Sequence, residues 1–202
     1  MSFSQENLSQ EVVDSWQEYM AHLENNNIFE CIENKNVLEI GTANGLFWET
    51  YNLYNPSSIT GLDPDTRWDL TSGLDEKDMI RESYDTYLPK TGYDVIICFG
   101  FIYKLHSPIH LLELMARSRP EYIILEDLDN EELVCGPLVT NYAGGVGELV
   151  VSDEVYCPYV TKLPMNTIIS AMESMSYRLE NSYKMETEHS AKRKTIQCVF
   201  RG

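Results

Sequence analysis

Apolar positions along the chain follow two patterns, a helical period and the continuous runs that are typical of buried strands. Residues 6–24 place their apolar side chains on one helix face, which predicts an amphipathic helix. The short apolar runs at 36–40, 93–100 and 121–127 predict buried strands. The other predicted elements are helices at 45–54, 107–118 and 163–175, and strands at 57–64, 79–84, 177–185 and 194–200.

The alternation of strands and helices predicts an α/β fold. We expect a doubly wound, mainly parallel sheet of seven strands with helices on both faces. A short polar turn separates the last two strands, so these should form a C-terminal antiparallel hairpin.

The domain organisation follows from composition. We place an N-terminal helical cap at 1–34 and a single domain at 35–202, because no segment resembles an interdomain linker. The segment at about 128–163 is too long for an ordinary connector and is interpreted as an insertion in that domain. Three of its aromatic residues would form a mobile lid or a satellite hydrophobic cluster, namely Tyr142, Tyr156 and Tyr159.

A glycine-rich turn follows the strand at 36–40. Gly41 permits a sharp turn and close approach of a ligand, and the helix start at Gly45 offers backbone N–H groups to an anionic group. Asp63 ends the next strand, where an acid can bond ribose hydroxyls. Ala43 stands where the dinucleotide fingerprint has its second glycine, which argues against NAD and for a ligand without a pyrophosphate.

The run Glu39-Ile40-Gly41-Thr42-Ala43-Asn44-Gly45 resembles the E-x-G-x-x-x-G signature of class I S-adenosylmethionine-dependent methyltransferases. The looser resemblance extends over about residues 35–202. It implies a Rossmann-like fold, methyltransferase activity and S-adenosylmethionine as the cofactor.

The resemblance also implies roles for individual residues. Glu39 would anchor the turn and meet the cofactor's amino group, and Asp63 would hold the ribose. Asp85 would meet the adenine or be an exposed turn acid, and Phe99 would lie against the cofactor or pack in the core. The implied cofactor-binding residues are Glu39, Gly41, Thr42, Ala43, Gly45, Asp63, Asp85, Phe99 and Gly100.

A narrower resemblance lies at 100–108. It is similar to a Gly-x-x-Tyr-His-x-x-Ser-Pro segment of methyltransferases related to wobble-uridine tRNA carboxymethyltransferases, but Lys104 replaces the histidine. The formal net charge is −17, and such a charge repels a phosphate backbone. The resemblance therefore implies the fold and the cofactor class, and tRNA remains an alternative substrate.

Candidate catalytic bases follow the strand at 93–100. His106 and Tyr103 lie where open α/β sheets place their ligand crevice, although His106 could instead bond to backbone or water at a helix start. A base is required only if the methyl acceptor must lose a proton. Five cysteines without a C-x-x-C pair, and acids without ligand spacing, predict no metal site.

The remaining expectations concern location and partners. The chain has no long apolar run and no basic start followed by an apolar segment, so we expect a cytoplasmic protein without a membrane partner. A small-molecule substrate is expected. The alternatives are a tRNA-modifying enzyme and a non-catalytic S-adenosylmethionine-binding module. A dinucleotide-dependent oxidoreductase is disfavoured by Ala43.

Overall fold

A computed structural model describes residues 10–43, 45, 47–64, 76–88, 92–129, 134–136, 160–186 and 194–202. Its helices are α1 (Gln10–Asn25), α2 (Trp48–Asn52), α3 (Tyr84–Tyr87), α4 (Pro108–Arg117) and α5 (Met165–Ser174). Its strands are β1 (Asn36–Ile40), β2 (Ser58–Leu62), β3 (Met79–Ile80), β4 (Val95–Cys98), β5 (Tyr122–Leu128), β6 (Val134–Gly136), β7 (Val160–Lys162), β8 (Arg178–Glu186) and β9 (Lys194–Arg201).

Seven of these strands form one sheet in the order β3-β2-β1-β4-β5-β9-β8. The first five strands are parallel, and β9 lies antiparallel between β5 and β8. The predicted doubly wound, seven-stranded sheet with a C-terminal antiparallel hairpin is therefore confirmed. A separate antiparallel pair, β6 and β7, was not predicted.

The sheet is covered on both faces because its central strands are apolar on both sides. Leu38 and Ile40 of β1 face a core shared with α4 and α5. Val37, whose side chain alternates with theirs along β1, faces a second core that includes Leu23 of α1 and Trp48 of α2. This alternation explains why the central strands appear in the sequence as continuous apolar runs.

Two predicted boundaries are wrong. The helix expected at 45–54 begins at Trp48, because Gly45 has φ of +76°, which a right-handed helix does not accept. The strand expected at 79–84 contains only Met79 and Ile80, since Ser83 caps the short helix α3 by accepting a hydrogen bond from the Asp85 N–H.

The N-terminal cap and the insertion stay predictions. In the described part of 1–34, helix α1 packs onto the sheet through Leu23. Strands β6 and β7 lie within the predicted insertion, whereas Tyr142, Tyr156 and Tyr159 lie outside the described residues. Within the described part of the chain, no helix combines the length and apolarity that a membrane crossing requires.

Candidate active site at the carboxyl edge of the sheet

The candidate site lies where β1, β2, β4 and β5 end. Since these four strands are parallel, their carboxyl ends meet at one edge of the sheet. The strand order reverses beside β1, whose neighbours are β2 and β4. Open α/β sheets bind ligands at such a reversal.

The turn after β1 departs from ordinary backbone geometry at three residues. Gly41, Ala43 and Gly45 have φ of +76°, +52° and +76°. A Cβ at Gly41 would lie 2.9 Å from the ring of Phe101, so only glycine fits there. The Thr42 hydroxyl donates to the carbonyl oxygen of Glu39 at 3.0 Å, which helps to hold the turn.

Asp63 connects the end of β2 to this turn. Its Oδ2 accepts a hydrogen bond from the Ala43 N–H at 2.9 Å, and its side chain is nearly buried, with the residue 9% exposed. The turn and the acid that the sequence placed about 20 residues apart are therefore in direct contact. The carboxylate fixes the backbone of the turn at the residue that has a strained positive φ.

Glu39 is buried beneath the turn, and ring donors bind both of its carboxyl oxygens. Trp48 Nε1 donates to Oε2 and the Tyr51 hydroxyl donates to Oε1, each at 2.8 Å. Burial raises the pKa of Glu39, and the hydrogen bonds from Tyr51 and Trp48 oppose part of that rise. This geometry supports the anchoring role that was predicted for Glu39, because the carboxyl group joins β1 to α2.

The end of β4 forms the other side of the site. Phe99 is buried and packs against Phe29 and Phe47, with ring centroids 5.6 and 5.7 Å away, so its side chain belongs to the core. Gly100 has φ of +61°. A Cβ there would lie 3.8 Å from the Tyr103 hydroxyl and 4.0 Å from Glu126 Oε1. The missing side chain therefore leaves a small space that two polar groups border.

The two predicted catalytic residues lie in different surroundings. The Tyr103 side chain is buried with its hydroxyl at Gly100. His106 is exposed, and its carbonyl oxygen accepts a hydrogen bond from the Thr161 hydroxyl at 3.0 Å. The structure thus brings Tyr103, rather than the ring of His106, to the end of β4.

Asp85 lies on the surface rather than in the buried turn. Its Oδ1 is 2.8 Å from Nε2 of His110, and both side chains are about half exposed. This contact joins α3 to α4. The interpretation of Asp85 as an exposed acid agrees with this position, and its role toward an adenine ring stays a prediction.

Glu126 and Asp127 lie at the end of the strand predicted at 121–127. They belong to β5 and are 3% and 1% exposed, so both acids are buried. The Glu126 Oε2 accepts hydrogen bonds from the Tyr19 hydroxyl and from Gln197 Nε2, the latter at 2.9 Å. Gln197 was overlooked, although a glutamine inside the apolar run at 194–200 indicates a buried polar contact.

Two other features do not contribute to this site. Burial raises the pKa of the Cys198 thiol to about 12, which disfavours its use as a nucleophile. A groove of about 370 Å³ lies beside the C-terminal turns of α4 and α5. Since α4 starts near the carboxyl edge and runs back along the sheet, this groove belongs to the opposite edge. Its lining residues are Glu113, Ala116, Arg117, Ser174 and Met175.

The strand order of the sheet, together with the glycine-containing turn that is hydrogen-bonded to Asp63, defines the class I methyltransferase fold. A family profile described as a methyltransferase domain matches residues 13–141, more than half of the chain. The chain therefore belongs to this methyltransferase family. The predicted Rossmann-like fold, methyltransferase class and S-adenosylmethionine cofactor are confirmed at the level of the family.

Individual proteins that are similar to this chain are consistent with its membership of this family. A tRNA U34 carboxymethyltransferase from Nautilia profundicola is 34% identical over 119 residues, which cover 52% of this chain and 39% of that protein. Among solved structures, the N-terminal domain of EvdMO1 with SAH bound has a TM-score of 0.59 and 18% identity, covering 96% of this chain and 82% of that chain. The N-methyltransferase NodS from Bradyrhizobium japonicum WM9, in complex with S-adenosyl-L-homocysteine, has a TM-score of 0.59 and 14% identity, covering 92% and 87%.

Proposed function

We propose that this protein transfers a methyl group from S-adenosylmethionine to a small-molecule acceptor at the carboxyl edge of the sheet. The observation that carries the proposal is the turn at Gly41 and Ala43, whose positive φ values coincide with a hydrogen bond to Asp63. Family membership alone would not locate the site.

The residues at this edge fit the cofactor. The backbone of the turn from Gly41 to Gly45, which includes Thr42 and Ala43, would face the methionine part. Asp63 would hold the ribose hydroxyls, because a carboxylate that holds the Ala43 N–H through one oxygen can accept further hydrogen bonds. The space at Gly100 admits a ligand atom where another residue would place its Cβ.

The protein's contribution to the reaction is chiefly alignment and exclusion of water. When bound, S-adenosylmethionine supplies an activated methyl group on a positively charged sulfonium. Phe99, which precedes Gly100 in the chain, packs against Phe47 in an apolar core, and the Tyr103 hydroxyl lies next to Gly100. Such positioning can lower a barrier by roughly 7–11 kcal/mol. Tyr103 would orient the acceptor or take its proton, and His106 would do so only after moving from its exposed position.

Charge favours a small acceptor. The net charge of −17 opposes the approach of polyanions over long distances. A second candidate is the modification of tRNA, which the 34% identical Nautilia profundicola relative favours. That match covers 39% of the relative, and Lys104 departs from the histidine of the related segment.

Calorimetric titration with S-adenosylmethionine and S-adenosylhomocysteine tests the site. Asp63→Ala should weaken binding of both by about 10–150-fold, since a hydrogen bond to a charged group contributes about 1.5–3 kcal/mol. The matched control is Asp94→Ala, because Asp94 accepts the Asn36 N–H at 2.8 Å at the opposite edge of the sheet. Its binding should stay within about threefold of wild type, as expected for a surface contact.

Wild-type protein that binds neither compound would refute the proposal. If binding is present, incubation with a metabolite extract and a methyl-labelled cofactor should give a labelled small molecule. Binding without any labelled product would instead identify a non-catalytic binding module.

A further inference from the structure

We propose that Glu126 is a specificity-determining residue that responds to the positive charge of the cofactor's sulfonium. It would make the protein hold the charged methyl donor more tightly than the neutral product. This inference rests on the proposed function, since it takes the cofactor to lie beside Gly100.

The carboxyl group of Glu126 is held in one orientation. Its Oε2 accepts from the Tyr19 hydroxyl of α1 and from Gln197 Nε2 of β9. Gln197 is fully buried, and it also contacts the Thr195 hydroxyl at 3.0 Å and His22 Nε2 at 3.2 Å. A carboxyl group with two donors on one oxygen cannot rotate without losing both hydrogen bonds.

The other carboxyl oxygen lies close to Gly100, beside which the cofactor is proposed to bind. Glu126 Oε1 lies 4.0 Å from the position that a Cβ at Gly100 would occupy, and the Tyr103 hydroxyl lies 3.8 Å from the same position. Gly100 has a positive φ and no side chain, so a ligand can approach both groups there. A positive group placed in this space would lie within a few ångströms of the carboxylate.

The local charge supports a cation rather than an anion. Four carboxyl groups are buried at this edge, those of Glu39, Asp63, Glu126 and Asp127. Among the described residues, the buried polar set contains no lysine, arginine or histidine. Lys104 is half-buried nearby, with Nζ 5.7 Å from the ring centroid of Tyr103. Because burial strengthens electrostatic interactions, the carboxylates should favour a positively charged ligand atom.

The test separates charge from hydrogen bonding. Glu126→Gln keeps a carbonyl oxygen that can accept from Tyr19 and Gln197, but it removes the negative charge. Three probes are titrated by calorimetry, namely S-adenosylmethionine, S-adenosylhomocysteine, and sinefungin, whose protonated amine replaces the methyl sulfonium. The ratio of the product Kd (S-adenosylhomocysteine) to the donor Kd (S-adenosylmethionine) should fall by about tenfold in the variant. The binding of sinefungin should weaken together with the binding of the donor.

Two further variants make the result decisive. Glu121→Gln removes a carboxylate that is paired on the surface with Lys35 and Arg201, so it should leave the ratio unchanged. Tyr19→Phe removes a hydrogen bond that orients Glu126 and should lower the ratio by a smaller factor. Thermal melts verify that each variant is folded.

The outcomes distinguish this inference from the proposed function. If wild type binds all three probes and Glu126→Gln leaves the ratio of product Kd to donor Kd unchanged, the charge-sensing role is overturned. The proposed cofactor site is not affected by that result. Equal weakening of all probes also overturns the charge-sensing role, because a purely structural role predicts that result. Wild type that binds no probe overturns both.

Discussion

Glu39 shows how one buried carboxyl group can connect two elements. Removing a carboxylate from water is costly unless donors replace the lost hydration. Trp48 and Tyr51 supply those donors from α2, at positions 9 and 12 residues further along the chain. The raised pKa of Glu39 indicates that burial outweighs the two hydrogen bonds in this balance. Because burial in the folded protein raises the pKa of Glu39, the free energy of unfolding depends on pH through this residue.

The pH dependence of stability has a definite sign. The pKa of Glu39 in the folded protein lies above its ordinary value of 4.5. The stabilising contribution of Glu39 to the free energy of unfolding is therefore fully present below pH 4.5 and is lost as the pH rises through the folded pKa. The unfolding free energy of wild type minus that of Glu39→Gln should decrease by about 1.4 kcal/mol per pH unit across that interval and then level off. Urea denaturation from pH 4.5 upward measures it.

The control is the exposed Glu33→Gln, which removes a carboxylate of the same type without burial. Its stability difference from wild type should change little over the same range. A Glu39→Gln difference that increases with pH would show that the donors, rather than burial, dominate.

Residue positions of this kind were only partly predictable. The turn glycines and Asp63 could be found because their chemistry follows a fixed spacing along the chain. The partners of Glu39 and Glu126 come from other elements, and one of them, Gln197, is 71 residues away from Glu126. A single sequence contains no signal for such contacts beyond a polar residue inside an apolar run.

At the scale of elements, the turn after β1 determines where α2 can start. Gly41 and Gly45 both have positive φ, which a right-handed helix does not accept, and α2 begins after them at Trp48. Hydrophobic periodicity extends across these residues, which is why it placed the helix start too early. The order of the seven sheet strands along the chain was predicted correctly, whereas α3, β6 and β7 were not predicted. Element boundaries depend on backbone conformations that periodicity does not report.

Gly41→Ala should destabilise the turn. It places a Cβ 2.9 Å from the Phe101 ring at a φ that alanine disfavours. We expect a loss of about 2–4 kcal/mol from the combined backbone and steric costs. Chemical denaturation would measure this loss. Gly92→Ala is the matched control, since its Cβ would have no neighbour within 4 Å among the described atoms and its φ is not in the strained range. Equal stability of the two variants would contradict the turn's role.

At the scale of the whole molecule, net charge separates the two candidate substrates. A protein of charge −17 should not retain tRNA on a filter at either about 50 or about 200 mM salt. A basic protein that binds tRNA serves as the positive control for the assay. Retention that falls steeply as salt increases would support the tRNA alternative, because it would reveal a local basic surface that overcomes the overall field.

The position of β9 has a consequence for synthesis on the ribosome. This strand, at Lys194–Arg201, supplies the partner for β8 on one side and for β5 on the other. While the residues of β9 remain inside the exit tunnel, β5 has an unpaired edge and β8 has no strand to join. Completion of the sheet must therefore wait until β9 has left the tunnel, and a ribosome-stalled fragment that lacks these residues should expose an aggregation-prone edge.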